Sequence, residues 1–146
     1  MKTIFLIALC LTTSIATMNA QEWITNFETA KIEAQEQQKT ILLVFQGSDW
    51  CAPCIKLDKE IWNTNEFKTY AQEHFVMLRA DFPKRKKNAL SEKQQAHNNN
   101  LAERFNKNGY FPYVVVLDSK GTVLGSLGYE KSTPTEYIEM LESFNN

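Results

Sequence analysis

Ile41-Leu42-Leu43-Val44-Phe45-Gln46-Gly47-Ser48-Asp49-Trp50-Cys51-Ala52-Pro53-Cys54 is the stretch on which the fold turns. Ile41 to Phe45 is an unbroken apolar run and reads as a buried strand; Gly47-Ser48-Asp49 breaks it, and Ile55 to Trp62 reads as the helix it feeds. Two cysteines three positions apart at such a junction are the setting of a redox dithiol. Cys51 falls in the first helical turn, where unpaired N–H groups and the positive end of the helix dipole favour a thiolate, the nucleophilic form. Cys54, one turn further in, is placed to attack the mixed disulfide that Cys51 forms with a substrate.

Two plainer readings of the pair compete with this one. Zinc wants four ligands, and His74 and His97 lie too far along the chain from Cys54 for finger spacing. A purely structural disulfide suits an oxidising compartment, but so short a loop removes little chain entropy when closed. Cys51 and Cys54 therefore read as catalytic, with no metal and no cofactor implied.

The segment Val44 to Cys54 resembles the active-site strand, loop and helix of the thioredoxin superfamily. Downstream, Gly109-Tyr110-Phe111-Pro112-Tyr113-Val114-Val115-Val116-Leu117-Asp118 is similar to the segment where that family places a cis-proline before a central strand, facing the dithiol. The resemblance runs from about Trp23 to Phe144. It implies an α/β thioredoxin-like fold, a central mixed sheet flanked by helices, with Cys51 and Cys54 as a redox-active disulfide. It also implies a substrate groove shaped by Pro112, Phe111 and Trp50, in which the Phe111 backbone pairs with an incoming peptide.

Two departures from the family pattern stand out. The buried acid that many thioredoxins keep beneath the dithiol is replaced by Val44 or Phe45, so the proton of Cys54 must leave by water or another group. Phe111 is bulky for the residue before the proline and narrows the groove. Asp49, two residues before Cys51, opposes the thiolate if anything, and Ala52-Pro53 adds no cation between the cysteines. These features tilt the direction toward reduction rather than strong oxidation.

Lys2, the apolar run Ile4 to Leu11 and the small or polar residues Ser14 to Ala20 read as a secretory signal peptide over residues 1–20, cleaved after Ala20 or after Ala16. Cys10 leaves with it, and Leu9 argues against a lipid anchor there. Residues 21–146 form one domain with one core. A net charge of −1 with 23% charged residues argues against nucleic acid and anionic membranes as partners. The expectations are a periplasmic or secreted monomer, protein disulfides as substrates, and a membrane or periplasmic thiol as electron donor. The competing class is a redox-idle binding module using the groove near Trp50 and Phe111.

Outside the dithiol, Trp23, Phe27, Ala30 and Ala34 fall at helical spacing. Asn63-x-x-Glu66 and Ser91-x-x-Gln94 read as capping boxes, the second opening a helix through Leu101, Ala102 and Phe105 that leaves His97 exposed and idle. Phe75 to Asp81 and Tyr113 to Leu117 read as strands, Asp118-Ser119-Lys120-Gly121 as the turn into a further strand at Thr122 to Leu124, and Thr133-Pro134-Thr135-Glu136 as the start of a last helix. Lys84-Arg85-Lys86-Lys87 is a basic run, read as a solvated turn or as a docking patch for an acidic partner.

Overall fold

The computed structural model describes residues 21–145; the signal-peptide expectation for residues 1–20, Cys10 included, lies outside them. In chain order the elements are α1 (Phe27–Gln37), β1 (Thr40–Gln46), α2 (Ala52–Leu57), a π-helical turn (Asp58–Trp62), α3 (Asn65–His74), β2 (Phe75–Asp81), a 3-10 turn (Lys86–Asn88), α4 (Glu92–Phe105), β3 (Tyr113–Leu117), β4 (Val123–Leu127) and α5 (Pro134–Glu142), closed by a 3-10 turn (Ser143–Asn145). The sheet order is β2-β1-β3-β4, with β1 parallel to β2 and antiparallel to β3, and β3 antiparallel to β4.

β1 reads as a continuous apolar run because it is buried on both faces. Leu42 and Val44 join Met77, Val114 and Val116 against Leu57, Ile61, Trp62, Phe67, Tyr137 and Leu141. Ile41, Leu43 and Phe45 join Leu78 and Val115 on the other face, against Phe27, Ala30 and Ala34 of α1 and Leu101 of α4. A mixed sheet thus lies between two helical layers, as the resemblance implies. The β3–β4 turn is held by the Asp118 carboxylate, which accepts from the backbone N–H of Lys120 (2.9 Å) and Thr122 (2.8 Å). Gly121 closes it at φ 87°, where a Cβ would also strike the Phe27 ring at 2.8 Å.

Four local readings change. Trp23 stands outside α1, which Asn26 caps; the Trp23 ring meets Trp62 edge-on at 6.3 Å. Ile24 instead bridges to Leu78 and covers the outer edge of β2, an edge that would otherwise invite pairing with another chain. The cap of α3 is Thr64, not Asn63, its hydroxyl accepting from Phe67 N–H. His97 is not idle: its Nε2 accepts from the Phe27 backbone N–H at 3.2 Å, using one of the donors that a helix start leaves unpaired. Finally, the dithiol helix begins at Ala52 and widens into the π turn, closed by Asn63 N–H on Asp58 C=O at 2.9 Å. Ser91 and the Thr133–Glu136 capping box fall where the sequence places them.

Candidate active site

The dithiol sits where β1 ends. The Cys51 N–H bonds back to Gly47 C=O at 2.9 Å, closing a tight loop that delivers Cys51 as the N-cap of α2. Of the first N–H groups of that helix, Pro53 has none and Ile55 donates to Cys51 C=O at 3.0 Å. The Cys54 N–H is left to point at Cys51 Sγ, 3.3 Å away. Cys51 and Cys54 are joined by a disulfide, with Cα atoms 5.2 Å apart and both residues 4% exposed. In the reduced protein the same N–H and the helix terminus favour negative charge on Cys51.

On one side the pair is walled by aromatic rings. β3 pairs antiparallel to β1 with Tyr113 opposite Phe45, so the residues just before β3 lie beside the loop just after β1. Phe111 and Pro112 are those residues, and the peptide bond between them is cis. The Trp50 ring packs edge-on against Phe111 at 5.5 Å and its indole N–H donates to Phe82 C=O at 2.7 Å; Phe82 in turn meets Phe111 at 5.5 Å. Gly47 makes this possible, since the indole lies against the face where any side chain would be. Trp50, Phe111 and Pro112, separated along the chain, are brought together here. Phe82 was not singled out from the sequence, and nothing in its immediate neighbours marks it.

On the other side the surroundings of Cys54 are polar. A cavity of about 400 Å³ reaches it, lined among others by Gln46, Asp58, Lys68, Arg79 and Trp23. Asp58 lies one turn past Cys54 on the same helix, its N–H bonded to Cys54 C=O. Arg79 pairs in register with Val44, so it projects from the sheet face that carries the dithiol helix. Burial lowers the Arg79 pKa, while the nearby Asp58 and Asp81 carboxylates act to raise it. Its guanidinium lies 4.3 Å from the Trp23 ring centroid, and its Nε has no hydrogen-bond partner among the described residues. Where β1 offers no acid, a carboxylate after the dithiol helix and a cation on β2 line the cavity at Cys54. The signal for Arg79 was present: an arginine interrupting the apolar run of Phe75 to Ala80.

Two carboxylates tie the loop after β1 to the end of β2 and the loop that follows it. Asp49 accepts from the backbone N–H of Lys84 (2.9 Å) and Arg85 (3.0 Å) and from Asn88 Nδ2 (2.9 Å), bonds that hold its carboxyl below the ordinary value of 3.8. Asp81 accepts from Ser48 N–H (2.9 Å) and Oγ (2.6 Å). Asp49 therefore acts as a clamp on the 84–88 loop. His74 stacks on Tyr70 at the end of α3, where β2 begins, and so lies at the opposite end of the sheet from the dithiol. His97 serves α1. Among the described residues no three His, Cys, Asp or Glu side chains are grouped to hold a metal ion.

Comparisons with known proteins agree with this geometry. A family model described as Thioredoxin-like matches residues 22–119. Disulfide bond reductase DsbH of Chlamydia pneumoniae is 35% identical over 132 residues, covering 90% of this chain and 76% of that protein. Thioredoxin-related protein DsbJ of the same organism is 29% identical over 136 residues, which is 86% of this chain but 38% of that protein. A solved structure of a DsbH oxidoreductase superposes with a TM-score of 0.78 at 33% identity, covering 94% of this chain and 92% of the other.

Proposed function

Because the chain belongs to the thioredoxin-like family and is a thiol-disulfide oxidoreductase acting on protein disulfides, we propose that it works in the reductive direction, with Cys51 attacking and Cys54 resolving. The observation that carries the role assignment is the Cys54 N–H aimed at Cys51 Sγ at the helix start, which favours the thiolate at Cys51 rather than at Cys54. The Cys51 thiolate attacks one sulfur of a client disulfide; the other sulfur leaves as thiolate and takes a proton. Cys54 then loses its proton and attacks Cys51 Sγ, closing the Cys51–Cys54 bond and releasing the second client thiol. Two electrons pass from the dithiol to the client, and a thiol donor in the same compartment must return them. The similarity to a protein named as a disulfide bond reductase supports the direction.

Around this exchange, Pro112, Phe111 and Trp50 shape the client groove and the Phe111 backbone pairs with the client strand. Asp58 receives the proton that Cys54 gives up, through water in the cavity the two residues share, and Arg79 lines the same cavity. Residues 1–20 direct the chain out of the cytoplasm and are removed, leaving residues 21–146 as a monomeric domain in a periplasmic or extracellular space. The donor is a membrane-borne or periplasmic dithiol.

The roles of the cysteines are tested by trapping. Cys54→Ser should accumulate mixed disulfides with client proteins, and Cys51→Ser almost none. Equal trapping would remove the assignment. Direction is tested by equilibration with glutathione, where a potential near that of thioredoxin, about −270 mV, is expected and one above about −180 mV defeats the reductive reading.

A further inference from the structure

The most basic stretch of the chain is built onto the rim of the dithiol. Lys84, Arg85, Lys86 and Lys87 are consecutive and all exposed, a quarter of the 16 lysines and arginines in a chain of net charge −1. A run of this kind is ordinarily a solvated turn with no fixed relation to the active site. Here two contacts set that relation. The carboxylate of Asp49, two residues before Cys51, accepts from Lys84 N–H, Arg85 N–H and Asn88 Nδ2 at 2.9, 3.0 and 2.9 Å. The Lys84 ammonium lies 3.8 Å from the centroid of the Trp50 ring, and Trp50 is the neighbour of Cys51. A 3-10 turn at Lys86–Asn88 keeps the loop compact.

The charge balance gives this placement a direction. Asp49, which binds the loop, and Asp81, which precedes it in the chain, are both engaged by N–H or O–H donors of the loops they clamp. The side chains of Arg85, Lys86 and Lys87 form no ion pair within 4.0 Å among the described residues; Arg85 acts on the Asp49 carboxylate at longer range, and all three are exposed on the loop beside Trp50. An extended client strand advances about 3.3–3.6 Å per residue, so a carboxylate two to four residues from the attacked cysteine lies roughly 7–14 Å along it. The basic loop is tied to Trp50 and Asp49, one and two residues before Cys51, which is the neighbourhood such a carboxylate would sample.

We propose that residues 84–87 are a docking rim that selects polypeptide clients carrying carboxylates beside their disulfide. The proposal rests on the client-reducing reading of the dithiol and adds its specificity. Asp49 is the clamp, Lys84 the bridge over Trp50, and Arg85, Lys86 and Lys87 supply the field. Electrostatic attraction of this kind acts on encounter and is screened by salt.

The test uses two disulfide-linked peptides that differ only in having Glu or Gln two to four residues from one cysteine. They are reduced by the wild type and by an Arg85→Gln/Lys86→Gln/Lys87→Gln variant that leaves Lys84 and the backbone clamp in place. The wild type should reduce the Glu peptide with a kcat/KM about tenfold higher at low ionic strength, the advantage fading as salt is raised. The variant should reduce both peptides at the rate the wild type shows for the Gln peptide. Equal rates on the two peptides by the wild type, a preference that survives in the variant, or loss of Gln-peptide reduction in the variant would each overturn the rim. Reduction of neither peptide by the wild type would sink the reductase reading with it.

Discussion

Replacing Gly47 with alanine asks whether Trp50 is held over the dithiol loop by a space that only glycine leaves. A Cβ at position 47 would meet Trp50 Nε1 at 2.5 Å and Cζ2 at 2.6 Å, with Cε2 closer still, and contacts under 3.0 Å are not sustained. The indole is rigid and must swing away. Three contacts go with it: the hydrogen bond to Phe82 C=O at 2.7 Å, the edge contact with Phe111 at 5.5 Å and the Lys84 ammonium at 3.8 Å. Their central values are about 1 kcal/mol for a net hydrogen bond, about 1 for an aromatic pair and about 0.5 for an exposed cation over a ring. Trp50 is 38% exposed and the contacts overlap, so roughly 2 kcal/mol is expected rather than the full sum. For a domain of this size that lowers Tm by about 8 °C. Thermal unfolding followed by circular dichroism gives the shift, and the indole N–H resonance of Trp50 reports the lost bond to Phe82. In a Trp50→Ala background the same substitution should cost almost nothing. A Gly47→Ala protein with unchanged Tm and an unchanged Trp50 indole resonance would refute the reasoning.

Asp58→Asn should slow the release of client from the mixed disulfide while leaving the first attack by Cys51 at its wild-type rate, as read by stopped-flow under single turnover; equal slowing of both steps would remove Asp58 from proton transfer. Asn106→Ala should cost about 2 kcal/mol in denaturant unfolding, because buried Asn106 holds both Tyr110 N–H and Tyr110 C=O at 2.9 Å just ahead of Phe111 and Pro112. The Asp49 carboxyl is held below 3.8 first by the Lys84 N–H, so the clamp is complete above that value and is lost as pH falls through the lowered one. The amide resonances of Lys84 and Arg85 should therefore hold from neutral pH to about pH 4 and move only below it, a transition that Asp49→Asn abolishes.

Strands and helix starts were legible because their signals are local. β2 and β3 have the bounds read from their apolar runs, and Ser91 and Thr133 cap where their hydroxyls promise to. Asn63 and Thr64 are both capping types, however, and the π turn that ends at Trp62 decides between them by adding a residue that helical counting omits. Trp23 sits at helical spacing from Phe27, but Ile24 is drawn to the edge of β2, which no periodicity announces. The dithiol, the proline and Trp50 were found because each is carried by a short motif. Asp58 and Phe82 were not: Asp58 meets Arg79 only when the dithiol helix is laid over β2, and Phe82 meets Trp50 only when the loops after β1 and β2 lie side by side.

The poise of the dithiol follows from how charge is distributed on its two sides. Anything that stabilises either thiolate stabilises the reduced protein and raises the potential, making it the stronger oxidant. A bare arginine facing the cavity at Cys54 would do that, yet Arg79 shares its surroundings with the Asp58 and Asp81 carboxylates, which offset its charge. On the other side Lys84 is drawn onto the Trp50 ring, and the clamp it belongs to carries the negative charge of Asp49. Arg79 and Lys84 are therefore each accompanied by a carboxylate. The helix start and the Cys54 N–H also favour the Cys51 thiolate. Arg85, Lys86 and Lys87 are exposed on the loop that Asp49 clamps, where their charge bears on what approaches the dithiol.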